Sequence, residues 1–315
     1  MEARRLALSI VSPVYQASGT VDALVSQISD AASKVTEEFE IILVDDRSSD
    51  DSWIRIVEQS KKNPRLRGAR LSRNFGQHAA ITAALSLARG DRVVVMDCDL
   101  QHDPKEIPRL WSKADEGYDI ILAYHNTRRH APHRNIGAKV FRAVTTLVSG
   151  RNQPECSVGT YSLLSRKVVA AFLKFQERHR HYHHILQSAG FSVSKVEVEH
   201  RARGRGRSSY SLASLLRHAV HGMLGQSDRL LSAALFLGAF CCVGALVGIS
   251  YVVFRWAFWG LLEGWASLVV LMLGAMGVIL FTLGVLGLYI GGIFEQVRAR
   301  PIFLIDETTP IDQDA

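Results

Sequence analysis

Arg92-Val93-Val94-Val95-Met96-Asp97-Cys98-Asp99-Leu100-Gln101 is a short apolar run that ends on two aspartates one residue apart. Its first half, Arg92–Met96, has the β-branched composition and length of a buried strand. Its second half falls where such a strand gives way to a loop. Two carboxylates at i and i+2 in that place can hold one hard divalent cation together with a diphosphate, because Mg2+ keeps few protein ligands and takes the rest from phosphate and water. Acidic pairs are also common on ordinary loops, so the motif draws its weight from its neighbours, among them Gln101 just beyond it.

The same arrangement recurs upstream. Ile41-Ile42-Leu43-Val44 is an apolar run that ends on Asp45-Asp46. A carboxylate there can accept hydrogen bonds from a base N–H or ribose hydroxyls, or it can cap the turn at Ser48–Ser52; both readings stand. Around these two runs, strands and helices alternate. Leu6–Pro13 reads as a strand, and Thr20–Val35 as a helix with Val21, Leu24, Val25 and Ile28 on one face. Glu40–Val44 follows as a strand, then a helix capped by Ser49 and Asp50 through Ser60, then a strand at Arg67–Leu71. Gly76–Ala88 is an alanine-rich helix closed by Gly90, Pro104–Glu116 a helix and Asp119–Ala123 a strand. This order predicts a parallel or mixed sheet wrapped on both faces, with ligands beyond the carboxyl ends of the strands, where both acidic pairs lie.

From Tyr124 to Arg229 the chain is basic, histidine-rich and less regular. Between Ile120 and Arg229 there are 18 Lys or Arg against 5 Asp or Glu, in a chain of 315 residues and net charge +7. Such a surface attracts phosphates. Val140–Leu147 and Ser165–Phe175 read as helices and Ser192–Glu199 as a strand. Ser211–Leu224 gathers Leu212, Leu215, Leu216 and Val220 on one side, a pattern that suits a membrane surface or packing on a core equally. His179, His181, His183 and His184 lack a second ligand cluster, so no metal is expected there; His78 reads as a packing or capping residue.

Leu230–Phe254 and Ala266–Phe294 carry no charged side chain. Each is longer than the ~20 helical residues needed to cross a bilayer core. Trp256, Trp259 and Trp265 in the link between them suit an aromatic belt. Arg217 and Arg229 on one side and Arg298 and Arg300 on the other put both ends of this hairpin in the cytoplasm by the positive-inside rule. Met1–Val14 lacks the pattern of a signal peptide, so the N-terminal domain is expected in the cytoplasm. Cys98, Cys156, Cys241 and Cys242 show no disulfide or zinc spacing. With a membrane anchor adjoining the basic segment, the expected phosphates are those of lipid and substrate, and nucleic acid is not expected as a partner.

Four motifs occur in order: Val11-Ser12-Pro13-Val14-Tyr15, Asp45-Asp46-Arg47-Ser48-Ser49-Asp50, Arg73-Asn74-Phe75-Gly76-Gln77-His78 and Asp97-Cys98-Asp99-Leu100-Gln101. Together they resemble the nucleotide-sugar domain of inverting family 2 glycosyltransferases, in the polyprenyl-phosphate branch that includes dolichyl-phosphate mannose synthase. Glu106–Leu110, Lys113–Asp119 and Val297–Pro301 resemble the bacterial undecaprenyl-phosphate transferases for formamido-arabinose or glucose. The resemblance covers nearly the whole chain. It implies a GT-A-like, doubly wound mixed sheet over residues 1–124, an acceptor-side and membrane-interface segment over 125–229, two transmembrane helices within 230–294 and a cytoplasmic tail over 295–315. It also implies a place in a bacterial inner membrane and association of copies through the membrane helices.

By the same resemblance, Pro13, Tyr15, Asp45, Asp46 and Arg73 belong to the nucleotide-sugar site. Asp97, Asp99 and Gln101 surround the diphosphate, and the two aspartates hold Mg2+ or Mn2+. Arg201, Arg203, Arg205 and Arg207 with Ser209, and Arg128, Arg129 and Arg134, supply cations that can contact the acceptor phosphate or form solvated basic loops against lipid head groups; both readings stand. The chain departs from the family in two places. It reads Tyr15-Gln16-Ala17 where Tyr-Asn-Glu is usual, and Val158-Gly159-Thr160-Tyr161 where many members carry Gly-Asp-Phe. Thr160 cannot act as a base. A phosphate monoester, with its second pKa near 6, is already a nucleophile at neutral pH, so the reaction requires positioning and charge neutralisation rather than proton abstraction. Two other readings stay open: a family 2 transferase with another acceptor, and a silent subunit that scaffolds lipid-linked sugar transfer.

Overall fold

The computed structural model describes residues 6–125, 157–175, 177, 180–198, scattered positions between 238 and 258, and 264–310. The chain divides into two units. Residues 1–130, 154–208 and 300–315 form one, and residues 131–153 and 209–299 the other.

The first unit is built on an eight-stranded mixed sheet. Its elements in chain order are β1 (Leu8–Val14), α1 (Val21–Ala32), β2 (Phe39–Asp45), α2 (Ser52–Lys62), β3 (Leu66–Leu71), α3 (Gln77–Leu87) and β4 (Arg92–Val95). A 3-10 turn at Pro104–Glu106 leads into α4 (Ile107–Ala114), followed by β5 (Ile120–His125). Beyond the segment outside the described residues come β6 (Ser157–Ser165), α5 (Arg166–Lys174), α6 (Tyr182–Ser188), β7 (Val193–Glu197) and finally β8 (Ile305–Thr308). The strand order is β7-β5-β6-β4-β1-β2-β3-β8. β4, β1, β2 and β3 run parallel, β6 is antiparallel to β4 and β5, β7 is parallel to β5, and β8 is antiparallel to β3.

The central strands are covered on both faces, so β1 and β2 are buried from end to end. Alternation divides their side chains between two cores. Leu8, Ile10, Phe39, Ile41 and Leu43 join Leu24 and Ile28 of α1 and Ile56 of α2 on one face. Val11, Ile42 and Val44 join Ala80, Ala84 and Leu85 of α3 and Phe172 of α5 on the other. α3 is buried continuously from Ala79 to Leu85, and its alanines let it lie close against the sheet.

The chain winds outward from β1 through β2 to β3 and then crosses back, placing β4 on the other side of β1. A crevice opens at such a reversal, beyond the carboxyl ends of the strands. At the opposite end, Glu40 is 2% exposed and fully engaged. It accepts Ser9 Oγ and Arg89 N at 2.7 Å each, Arg67 Nη1 at 3.0 Å and Arg89 Nε at 3.1 Å. Gly90 sits so close to β1 that a Cβ would lie 2.6 Å from Ser9 N. Its role is this close approach to β1, whereas the sequence suggested a helix terminator; α3 already ends at Leu87.

Two boundaries change. The sequence reading closes the nucleotide-binding core at residue 124, but the sheet continues through β6, β7 and β8. Residues 295–315, expected as a tail, contain β8, which pairs with the edge of β3: Arg70 lies opposite Glu307 and Ala69 opposite Thr308. An open edge strand is a row of unpaired backbone groups, and β8 covers it. Gly68 makes room for this closure. A Cβ there would lie 2.4 Å from Ile56 Cγ2 and 2.9 Å from Thr309 Cγ2. Its N–H donates to Thr309 Oγ1 at 2.9 Å, and Thr309 N–H returns to Gly68 O at 2.9 Å.

In the second unit, α7 (Trp265–Val297) is a single helix of 33 residues. Its stretch Gly274–Phe294 has a mean hydropathy of 2.1 and is long and apolar enough to cross a membrane by length and composition. It is the one such helix among the described residues. Of the expected two-helix hairpin, the described residues include this one apolar helix. The first apolar run is described only at scattered positions between 238 and 258, all helical. Val140–Leu147 and Ser211–Leu224 lie outside the described residues.

Candidate active site

A cleft of about 410 Å³ lies at the carboxyl ends of β1, β2 and β4. β1 contributes Pro13, Val14 and Tyr15, and the turn after β2 contributes Asp46. The loop into α3 contributes Asn74, Gly76 and Gln77, and the loop after β4 contributes Asp97, Cys98 and Asp99.

The two loops on the β1–β2 side are laced together by the serines and aspartates of the second motif. Gln16 N–H donates to Ser48 Oγ at 3.0 Å, Ala17 N–H to Ser52 Oγ at 2.9 Å and Ser18 N–H to Asp50 Oδ2 at 3.1 Å. Gln16 itself takes φ +49, a left-handed conformation in which Asn is more at ease. Arg47 (φ +58) and Leu100 (φ +60) share it, so three strained residues border the cleft. Such strain persists where the surroundings over-determine it, as at ligand sites.

The two aspartates after β2 have different tasks. Asp45 is 0% exposed and does not line the cleft. Its oxygens accept Ser48 N–H at 3.2 Å each, and Oδ2 lies 3.3 Å from Arg70 Nε. Asp46 faces the cleft and clamps the start of α3. Phe75 N–H donates to Oδ1 at 2.7 Å and Gly76 N–H to Oδ2 at 2.8 Å. Burial raises the Asp46 carboxyl above its usual range, helped by the charge of Asp45; the two backbone hydrogen bonds and Arg73 oppose that rise. Arg73 stacks over the Phe75 ring at 4.3 Å.

On the β4 side, Asp97 is held from three directions. Gln77 Nε2 and Thr160 Oγ1 each donate to its Oδ1 at 2.8 Å, and its own N–H donates to His102 Nδ1 at 3.0 Å. Because Nδ1 accepts, the imidazole proton sits on Nε2, and the 3.8 Å approach of Nδ1 to Asp97 Oδ2 is not an ion pair. His102 is 6% exposed and stacks on Tyr161, with centroids 5.0 Å apart and planes at 19°. Gly159 leaves room for the ring, since a Cβ there would lie 3.0 Å from His102 Nε2. Asp99 Oδ1 accepts Gln101 N–H at 3.1 Å, and Thr20 Oγ1 donates to Cys98 O at 2.9 Å, tying the loop to the start of α1. Burial, with the flanking aspartates, pushes the Cys98 thiol up to about 12, so it stays protonated and is no nucleophile.

Among the described residues no group of three or more His, Cys, Asp or Glu forms a ready-made metal cage. Asp97 and Asp99 present hard oxygen donors beside a cleft, a set that fits a divalent ion whose remaining ligands come from a diphosphate and water.

Of the residues expected at the site, Pro13, Tyr15, Asp46, Asp97 and Asp99 line the cleft together. Gln101, Arg73 and Asp45 do not line it. Gln101 and Arg73 adjoin it, and Asp45 stands behind it. Arg128, Arg129, Arg134, Arg201, Arg203, Arg205, Arg207 and Ser209 lie outside the described residues, as does His179. His78 has a packing role, with its ring 5.3 Å from that of His181. Asn74, Gln77, Cys98 and His102 were not singled out for the site, although all but His102 sit inside the quoted motifs; position alone did not reveal that Gln77 and His102 converge on Asp97.

The family model described as Glycosyl transferase family 2 matches residues 9–173. Among solved structures, the chain is similar to glucosyl-3-phosphoglycerate synthase from Mycobacterium tuberculosis in complex with Mn2+, UDP and glucosyl-3-phosphoglycerate. The identity is 18%, the TM-score 0.47, and the match covers 70% of this chain and 80% of that one. It is also similar to S. aureus TarS 1-349 in complex with UDP-GlcNAc (16%, TM-score 0.48, covering 70% and 66%). A third is mannosyl-3-phosphoglycerate synthase from Rubrobacter xylanophilus (17%, TM-score 0.48, covering 71% and 74%).

Proposed function

The chain belongs to glycosyl transferase family 2, and from that premise we propose that it moves a sugar from a nucleoside-diphosphate sugar to a polyprenyl phosphate at the cytoplasmic face of a bacterial inner membrane. The observation that carries this reading is Asp97 beside the cleft, its carboxylate oriented by Gln77 and Thr160 and its backbone N–H held by His102.

Asp97 and Asp99 would hold Mg2+ or Mn2+, which when bound neutralises charge on the departing diphosphate. Orientation of a ligand carboxylate by neighbouring donors is what such a site requires. The nucleoside then belongs on the β1–β2 side of the cleft, against Pro13, Tyr15 and Asp46.

Thr160 bears on the acceptor. It stands where many relatives carry a carboxylate, and its hydroxyl is engaged with Asp97. A phosphate acceptor suits such a site, because it arrives ionised and asks for no general base. A hydroxyl acceptor would need one. The apolar length of α7 supports a lipid-borne acceptor, since a helix of hydropathy 2.1 over Gly274–Phe294 with exposed Leu271, Leu280 and Ile290 is at home in a bilayer.

The test is a screen of nucleotide-sugars with purified protein, Mn2+ and undecaprenyl phosphate in detergent. The expected product is a lipid-linked sugar that moves into the organic phase. Transfer to soluble acceptors alone would favour a family 2 enzyme with another acceptor.

A further inference from the structure

β8, the first strand after α7 in the chain, carries two successive acids that act on the turn 45–48, one directly at Arg47 and one through Arg70. Glu307 lies directly opposite Arg70 in the β3–β8 pair. Its Oε1 is 3.3 Å from Arg70 Nη1, and its Oε2 accepts Trp53 Nε1 of α2 at 3.0 Å. Arg70 in turn places its Nε 3.3 Å from Oδ2 of the fully buried Asp45. Asp45 accepts the N–H of Ser48 and so closes the turn 45–48. Asp306 holds Arg47, the left-handed residue at the middle of that turn, at 2.5 Å.

A buried carboxylate with no cation costs several kcal/mol, whereas one that keeps its guanidinium is tolerated. Arg70 is therefore needed at Asp45, and its half-buried side chain is steadied from outside by Glu307. Exposed pairs such as Arg47–Asp306 contribute little to stability. Two of them converging on one strained turn act on geometry instead.

We infer that β8 is a positioning element of the nucleoside subsite: Glu307 through Arg70 and Asp45, and Asp306 through Arg47, set the turn that carries Asp46 into the cleft. This rests on the nucleotide-sugar reading above. The diphosphate end of the cleft, at Asp97 and Asp99, draws on Thr160 and His102, which receive none of these contacts, and on Gln77, which directly follows the Gly76 held by Asp46. The nucleoside end therefore responds more strongly than the diphosphate end.

The experiment uses the full chain in detergent, with wild type, Glu307→Gln and the pair Asp306→Asn with Glu307→Gln. These changes keep side-chain volume and alter exposed groups. Each protein is titrated with UDP and GDP in the presence of Mn2+, and separately with Mn2+ and pyrophosphate, a diphosphate without a nucleoside. The double variant is expected to bind the preferred nucleoside diphosphate about tenfold more weakly, a change of roughly 1.4 kcal/mol. Its affinity for Mn2+-pyrophosphate is expected to fall by no more than about twofold. Glu307→Gln alone falls in between. Unchanged nucleoside diphosphate affinity overturns the inference, and so does an equal loss for both ligands, which would mark general loosening. A wild type that binds pyrophosphate but neither nucleoside diphosphate overturns the nucleotide reading itself, and the inference with it.

Discussion

Thr160 Oγ1 and Gln77 Nε2 meet on one oxygen, Oδ1 of Asp97, each at 2.8 Å. Hydrogen bonds to an ionised acceptor are worth about 1.5–3 kcal/mol, and two on one oxygen fix the direction of the carboxylate. Thr160→Val removes one of them and keeps the volume. Transfer by this variant is expected to fall about tenfold, which corresponds to roughly 1.4 kcal/mol in the barrier. Thr160→Asp is expected to be worse, because it replaces a donor to Asp97 Oδ1 with an anion that repels it. Initial rates over a Mn2+ series read both variants, and wild-type rates in Thr160→Val would contradict the role assigned to the hydroxyl.

His102 supports the same carboxylate through the backbone. His102→Phe retains an aromatic ring against Tyr161 but offers no acceptor to Asp97 N–H. Losing the acceptor of this part-buried N–H costs about 0.5–1.5 kcal/mol. The expected result is a folded protein with weakened Mn2+ binding, measured by titration followed with electron paramagnetic resonance. Gly159→Ala presses a Cβ to 3.0 Å from His102 Nε2 and is expected to weaken Mn2+ in the same direction. Full Mn2+ affinity in His102→Phe would mean that the loop after β4 keeps its shape without this contact.

The closure of the sheet by β8 depends on Gly68. In Gly68→Ala, a methyl would lie 2.4 Å from Ile56 Cγ2 and 2.9 Å from Thr309 Cγ2. Overpacking of this kind costs about 1–3 kcal/mol. Thermal unfolding is expected several degrees lower, and limited proteolysis is expected to release the chain beyond Pro301 first. A melting temperature equal to that of the wild type would show that β8 can shift without cost.

Cys98 has the opposite character to a reactive cysteine. With its thiol pushed up from 9.0 to about 12 by burial, it is expected to resist iodoacetamide at pH 8 in the folded protein, read by mass spectrometry. The linkage has a definite sign. The folded-state value exceeds the unfolded one, so this group's contribution to stability is complete below pH 9 and is lost as the pH rises toward about 12. Cys98→Ser is expected to flatten that alkaline loss. Rapid alkylation at pH 8 would place the thiol in solvent and contradict its burial.

The βα alternation was legible as far as β5, because each of those strands is an apolar run bounded by turn residues. Its helices were read within a few residues of their ends. β6 escaped notice. Its sequence, Ser157–Ser165, mixes Thr160 and Ser162 with Tyr161 and Leu163, and only pairing with the distant β4 and β5 makes it a strand. β8 was less visible still, since its four residues are all exposed and its pairing rests on Gly68 and Arg70, far away in the chain. At the site, the Asp97/Asp99 pair could be read from its position after an apolar run. The division of labour between Asp45 and Asp46 could not. Both follow β2, and the reason that only Asp46 faces the cleft lies in Arg70 and in the backbone of Phe75 and Gly76, contacts that exist only once the sheet has formed.

Asp97 and Asp99 stand together at one end of the cleft. The most direct measurement compares wild type with Asp99→Asn in transfer of radiolabelled sugar from the nucleotide-sugar to undecaprenyl phosphate with Mn2+ present. Label in the organic phase is expected for wild type and a loss of at least about a hundredfold in the variant, the scale of one lost electrostatic contact to developing charge. An Asp99→Asn variant that transfers label as fast as wild type would contradict the role assigned to the pair.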